Sequence, residues 1–185
     1  SILGDPRHEQ MQQIINQKIK FRESFRPFAP IVKKERAAEF FELNPDEESP
    51  YMLIVAPVRQ EQRKDSSTDS RFSGLDKVRA VRSNLPAITH VDFSARVQTV
   101  DADRSPRMHR LLSAFEDRTG CPVLINTSFN IRGEPIVCSA DDAFRCFMAT
   151  DMDVLIIDNF LLLKSEQTAV VGDERTSYLA RFGND

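Results

Sequence analysis

PVLINTSFN, residues 122–130, sets the apolar triplet Val123, Leu124 and Ile125 directly before Asn126, Thr127, Ser128 and Asn130. So short an apolar run, opened by a proline and closed by turn-forming residues, predicts a buried strand rather than a helix. The polar groups then fall at the carboxyl end of that strand, where α/β sheets bind ligands. Arg132, Gly133 and Glu134 follow, and Gly133 with Pro135 closes a turn. A turn whose Asn, Ser and Gly merely satisfy the backbone is the competing reading, but such a turn does not need this many amides and hydroxyls.

Working outward, Met108, Leu111, Leu112 and Phe115 have helical spacing and Gly120 supplies a stop, so a helix is expected over 108–118. Ala143, Phe144, Phe147 and Met148 predict a second over 140–150, with Ser139 as its N-cap. DVLIID and FLLLK flank Asp158 and Asn159 as a tight hairpin. Upstream, ITHVDFSARVQTV, residues 88–100, alternates apolar and polar positions with one slip near His90, as a kinked strand does. YMLIVAPV, residues 51–58, reads as a buried strand, and the residues from Lys33 to Glu42 as a helix. A short amphipathic helix is expected between Asp5 and Lys18, and Pro27 and Pro30 argue against a central strand in KIKFRESFRPFAPIV. Residues 60–76 are polar and read as a mobile loop, and residues 165–185 as a peripheral tail. Helices interleave with strands and at least one hairpin, giving an α/β class with a mixed sheet in a single domain.

Composition bounds the function. A length of 185 residues allows one sizeable core, and 41% hydrophobic with 29% charged residues excludes disordered and collagen-like classes. No apolar run approaches the roughly 20 residues of a membrane span. The net charge of -3 disfavours nucleic acid as a partner, so any anion site is local. Cys121, Cys138 and Cys146 lack CxxC spacing and read as small core residues of a protein in a reducing, cytoplasmic compartment. Nucleotide-binding glycine motifs and metal-ligand spacings are absent, so no metal site is expected.

Two further stretches concentrate chemistry. Lys20, Arg22 and Arg26 fall at even positions, and on an extended chain they share one face suited to phosphate, although on this segment alone an ordinary solvated basic face is the favoured reading. His90, Asp92, Ser94, Arg96 and Gln98 repeat every second residue, opposite Val91, Phe93, Ala95 and Val97. An exposed sheet face accounts for these too, but its usual fillers, Lys and Glu, are missing.

KFRESFRPFAP, HVDFSARVQTV, PVLINTSFNIRGEPIV and DDAFRCFMATDMDVLIIDNFLL, in this order, resemble the C-terminal domain of the NodU/CmcH-type O-carbamoyltransferases over residues 1 to about 164. The resemblance implies a YrdC-like twisted mixed sheet with flanking helices. It makes residues 1–17 a linker and helix joined to a missing N-terminal, TsaD-like domain that carries its own metal. It implies binding of carbamoyl phosphate and ATP with Mg2+, and formation of carbamoyl adenylate. Lys20-Phe21-Arg22 and Ser128-Phe129-Asn130 fit the KxR and SxN signature of that fold. By the same resemblance Lys20, Arg26, Arg96 and Ser128 are the expected catalytic set. Arg22, His90, Asp92, Asn126, Thr127 and Asn130 are expected to bind substrate or ATP. Position 93, often Gly in the family, is Phe here, an expected cap on the site. The alternative is a YrdC-type RNA-modification domain that makes threonylcarbamoyl adenylate, and a homodimer is left open.

Overall fold

The computed structural model describes residues 1–64, 80–168 and 172–182. Most of the expected loop at 60–76 lies outside the described residues. The chain divides into two compact units, Ser1–Gln12 with Phe25–Thr127, and Gln13–Ser24 with Ser128–Asp185.

The first unit is a five-stranded mixed sheet with flanking helices, as the α/β pattern requires. Its strands are β1 (Ile2–Gly4), β2 (Ala29–Lys33), β3 (Ile54–Pro57), β4 (Ser94–Val100) and β5 (Val123–Thr127), ordered β1-β5-β2-β4-β3. β2 runs parallel to β4, and the remaining pairings are antiparallel. Register puts Leu3, Leu124, Ile31 and Val100 on one face, and there they meet Leu112, Met108 and Phe115 of the helix Pro106–Thr119. That helix ends as its sequence demands, on Gly120 at φ +72, whose N–H bonds the Glu116 carbonyl at 2.7 Å. On the opposite face Ala95, Val97, Val123 and Ile125 are fully buried. Burying each aliphatic side chain here stabilises the unit by about 1.5–3 kcal/mol.

Two expectations fail in this unit. Pro30 lies within β2, a central strand, because the ladder to β4 covers only Ile31–Lys33 and at Pro30 the one partner is Ile125 of β5. A proline is tolerated where a strand is paired on one side. The run at 51–58 is not a buried strand either: β3 is the sheet's edge, and Tyr51 and Leu53 just before it are 81% exposed. The helix Lys34–Phe40 falls where its pattern put it. Cys121 and Cys146 are buried, but Cys138 is exposed, against the expectation of a core residue.

The second unit is built around the helix Ala140–Ala149, whose Ser139 forms the N-terminal capping box with Asp142. Cys146 and Phe147 on its inner face are fully buried. β6 (Val154–Ile157) and β7 (Phe160–Leu163) form the expected hairpin through Asp158 and Asn159, as a separate two-stranded sheet. In the tail, a last helix runs from Gly172 to Ala180. The amphipathic helix expected from Asp5 starts only at Met11, and after Ile14 it widens into a π-helical turn, Ile15–Ile19. Lys20 N–H closes that turn on the Ile15 carbonyl at 2.8 Å, and Phe21 then takes φ +48. Residues 20–22 are therefore not extended, and the single face expected for Lys20, Arg22 and Arg26 does not form.

Candidate functional site

In the first unit, the helix-bearing face of the sheet continues past the end of the helix as a polar surface. Asn126 is opposite Ala29 on β2, and Gln98 is opposite Ile31. Ala29 is small enough for the two amides to meet across it: Asn126 Nδ2 donates to Gln98 Oε1 at 2.7 Å, and Gln98 Nε2 donates to the Pro50 carbonyl at 3.0 Å. A carbonyl can only accept, so Pro50 fixes the Gln98 amide, and Gln98 in turn fixes that of Asn126. Asn126 Oδ1 is left buried without a hydrogen-bond partner. Two positions before Gln98, on the same face, Arg96 is exposed, and its side chain makes no hydrogen bond or ion pair among the described residues. A buried orphaned acceptor and an exposed cation thus belong to the same face of the sheet.

β4 begins only at Ser94, so the alternation predicted from His90 is broken. Residues 90–93 form a turn in which Phe93 N–H bonds the His90 carbonyl at 3.0 Å and His90 N–H bonds the Ser94 carbonyl at 2.9 Å. Asp92 accepts from the Ser94 N–H at 3.0 Å and its hydroxyl at 2.7 Å, which lower its pKa. Burial holds the His90 imidazole below its ordinary 6.5; Asp92 opposes this and the Arg96 charge adds to it. Phe93 has φ +62, a conformation that costs a non-glycine residue about 1–2 kcal/mol. The Phe93 ring packs under the Arg63 guanidinium, 5.2 Å away. Thr127, one residue beyond Asn126, points to the opposite face. The Arg26 carbonyl accepts from Gln12 Nε2 at 3.1 Å.

In the second unit, the KxR and SxN segments meet. Lys20 is 3% exposed. Its ammonium donates to the Asn130 carbonyl at 2.9 Å, Asn130 Oδ1 at 2.8 Å, Ser128 Oγ at 3.2 Å and the Ser128 carbonyl. Protein oxygens thus take all three of its protons. Burial pushes Lys20 down to about 8, with the nearby Arg22 charge the next cause. Arg22 Nε donates to Asn16 Oδ1 at 2.6 Å, on the fully buried Asn16 of the π-helical turn. Ser128 Oγ donates to Asn130 Oδ1 at 2.6 Å, and Asn130 Nδ2 donates to the Glu134 carbonyl at 2.7 Å.

Glu134 and Cys146 were read from sequence only as a turn residue and a core residue, and Tyr178 was not singled out. The Glu134 carboxylate accepts from the Ile131 N–H at 2.8 Å and from the Tyr178 hydroxyl. Burial, then the Glu134 carboxylate, pushes the Cys146 thiol up to about 12, and burial with the Glu134 hydrogen bond raises Tyr178. Their sequence signal was weak, a lone acid in a turn and a lone tyrosine in an unpatterned tail. Among the described residues no group of three or more His, Cys, Asp or Glu side chains is placed to hold a metal ion, and no helix is long and apolar enough to cross a membrane.

The sheet of the first unit thus ends in an amide pair and an exposed arginine, and the second unit holds an SxN loop bound to a buried lysine. Residues 1–164 match the family model described as Carbamoyltransferase C-terminus, and the chain belongs to that family. It is 54% identical over 95% of its length to an uncharacterized protein of Synechocystis sp., covering 28% of that protein. It is 43% identical over 89% of its length to nodulation protein NolNO of Sinorhizobium fredii, covering 22% of it. Against the 3'-hydroxymethylcephem-O-carbamoyltransferase of Amycolatopsis lactamdurans it is 39% identical over 77% of its length, covering 23%. The chain thus spans about a quarter of the length of these relatives.

Proposed function

We propose that this chain is the part of an O-carbamoyltransferase that binds carbamoyl phosphate and ATP and forms carbamoyl adenylate. Water cleaves carbamoyl phosphate to carbamate and phosphate; a carbamate oxygen then attacks the α-phosphorus of ATP, and the bond to pyrophosphate breaks. Both partners are anions, so cationic groups must offset their repulsion. One observation carries the reading: Arg96 and the orphaned Asn126 Oδ1 share a face. A carbamoyl amine is a donor for that oxygen, and a phosphate is a counterion for that guanidinium. Family membership and the likeness to a cephem O-carbamoyltransferase support the same chemistry.

Magnesium in this reading arrives on the ATP phosphates, since such sites need only one or two protein carboxylates. The carbamoyl acceptor, a substrate hydroxyl, belongs to a further domain of a longer polypeptide, in keeping with the greater length of the relatives. Titration calorimetry of the folded chain with carbamoyl phosphate and with Mg-ATP tests the proposal. Arg96→Ala is expected to weaken carbamoyl phosphate binding about tenfold or more, the value of a charge-assisted hydrogen bond. No heat from the folded wild type with either ligand overturns the reading. Pyrophosphate exchange supported by threonine and bicarbonate rather than carbamoyl phosphate favours the threonylcarbamoyl adenylate alternative.

A further inference from the structure

The family match ends at residue 164, yet the second unit places residues from beyond that point against the SxN loop. Two contacts, independent of each other, make the connection. The Tyr178 hydroxyl donates to Glu134 Oε1. Gly133 packs beneath the backbone of Phe182 so closely that a Cβ there would lie 2.8 Å from the Phe182 carbonyl oxygen, at a φ of +76 that already favours glycine. The Tyr178 and Phe182 rings meet edge to face at 5.4 Å, joining the two contacts into one surface.

From Tyr178 a continuous chain of hydrogen bonds leads to the signature residues. Glu134 uses its other carboxylate oxygen to hold the Ile131 N–H at 2.8 Å, and its backbone carbonyl to hold Asn130 Nδ2 at 2.7 Å. This orients Asn130 so that Oδ1 faces the Lys20 ammonium at 2.8 Å and the Ser128 hydroxyl at 2.6 Å. Glu134 is 9% exposed, so its carboxylate depends on protein donors rather than water.

We infer that Tyr178 is a positioning residue: through Glu134 the C-terminal helix sets the conformation of the Ser128–Glu134 loop, and with it the competence of that loop to bind the anionic ligand. In its ligand arm this inference rests on the function proposed above. Without the phenol, Glu134 keeps its charge but loses a donor; the carboxylate is then free to turn from Ile131, and Asn130 loses its fixed orientation.

The experiment compares the full wild-type chain with Tyr178→Phe, which removes one oxygen, and with the double variant Tyr178→Phe/Glu134→Gln, whose neutral amide needs no such donor. Hydrogen exchange is read at the Ile131 amide and, as a control, at the Phe147 amide in the helix Ala140–Ala149. A positioning role predicts exchange at Ile131 about tenfold faster in Tyr178→Phe, an unchanged Phe147, and partial return in the double variant. It also predicts carbamoyl phosphate or ATP binding weakened about tenfold in the single variant. Unchanged exchange at Ile131, or equal acceleration at Phe147, overturns the inference, as does freed Ile131 with unaltered ligand affinity. If the wild type binds neither ligand, the proposed function fails, and the exchange arm alone decides whether Tyr178 orders the loop.

Discussion

Lys20 shows how far one buried side chain reaches. Four oxygens of Ser128 and Asn130 share its three protons, so Lys20→Met takes the ammonium donor from the two backbone carbonyls and Ser128 Oγ, while Asn130 Oδ1 keeps the Ser128 hydroxyl. At ~1–3 kcal/mol per unsatisfied group, partly offset by the charge no longer buried, the variant is expected to lose about 3 kcal/mol near neutral pH, measured by chemical denaturation. The pH dependence has a definite sign. Burial moves the Lys20 pKa from its ordinary 10.5 to about 8. Between those values the unfolded chain binds more protons than the folded one, so the contribution of Lys20 to stability rises with pH across the window, by at most about 1.4 kcal/mol per unit. The wild type should therefore gain on Lys20→Met as pH is raised from about 8 towards 10.5, and a constant difference would show that Lys20 is not held at a lowered pKa. His90 follows the same rule at lower pH. Its folded pKa is below 6.5, so its contribution is present above 6.5 and is lost as acidification protonates the imidazole. His90→Gln should flatten the acid limb of the stability curve over that range.

Elements were legible where their signal is local. The helices at Pro106–Thr119 and Ala140–Ala149, the hairpin at Asp158 and strand β5 follow from periodicity, one glycine, one serine cap and a two-residue turn. Where pairing decides, the sequence was mute. Pro30 looks incompatible with a central strand until the ladder is seen to leave it paired on one side only, and Tyr51–Val58 looks buried until β3 is found at the edge. The π-helical turn at Ile15–Ile19 is a matter of one hydrogen bond, and it alone turns Lys20 inward and removes it from the face expected for three cations. Of the candidate site, Arg96 and Asn126 were visible as residues, but the pairing of Asn126 with Gln98 across Ala29 depends on register. That bridge makes a prediction for the sheet as an element. Ala29→Leu places a branched side chain between the two amides; it should cost about 1–3 kcal/mol of stability by overpacking and break the bridge. If the orphaned oxygen binds the carbamoyl amine, calorimetry should show carbamoyl phosphate affinity falling at least as far as for Asn126→Ala, whereas unchanged affinity would separate the amide pair from the ligand.

At the scale of the molecule, a net charge of -3 leaves the cationic chemistry to individual positions such as Arg96, and the surface carries a second unbalanced feature that is apolar. In the hairpin, register sets Val154, Ile156, Leu161 and Leu163 on one face, while Leu155 on the other is only 3% exposed and belongs to the core of its unit. Ile156 and Leu161 oppose each other on the open face at 63% and 61% exposure. Cross-strand aliphatic pairs of this kind support a sheet when something covers them, and promote association when nothing does. The chain is therefore expected to self-associate as its concentration is raised. Replacing the pair, Ile156→Thr with Leu161→Lys, keeps one β-branched partner and adds a charge on the exposed side. Sedimentation or light scattering should show the onset of association moving to higher concentration, while the denaturation midpoint stays within the ~0.5 kcal/mol typical of surface substitutions. A loss of about 2 kcal/mol or more, the signature of a packed aliphatic side chain, would mean instead that this face is already covered in the free chain.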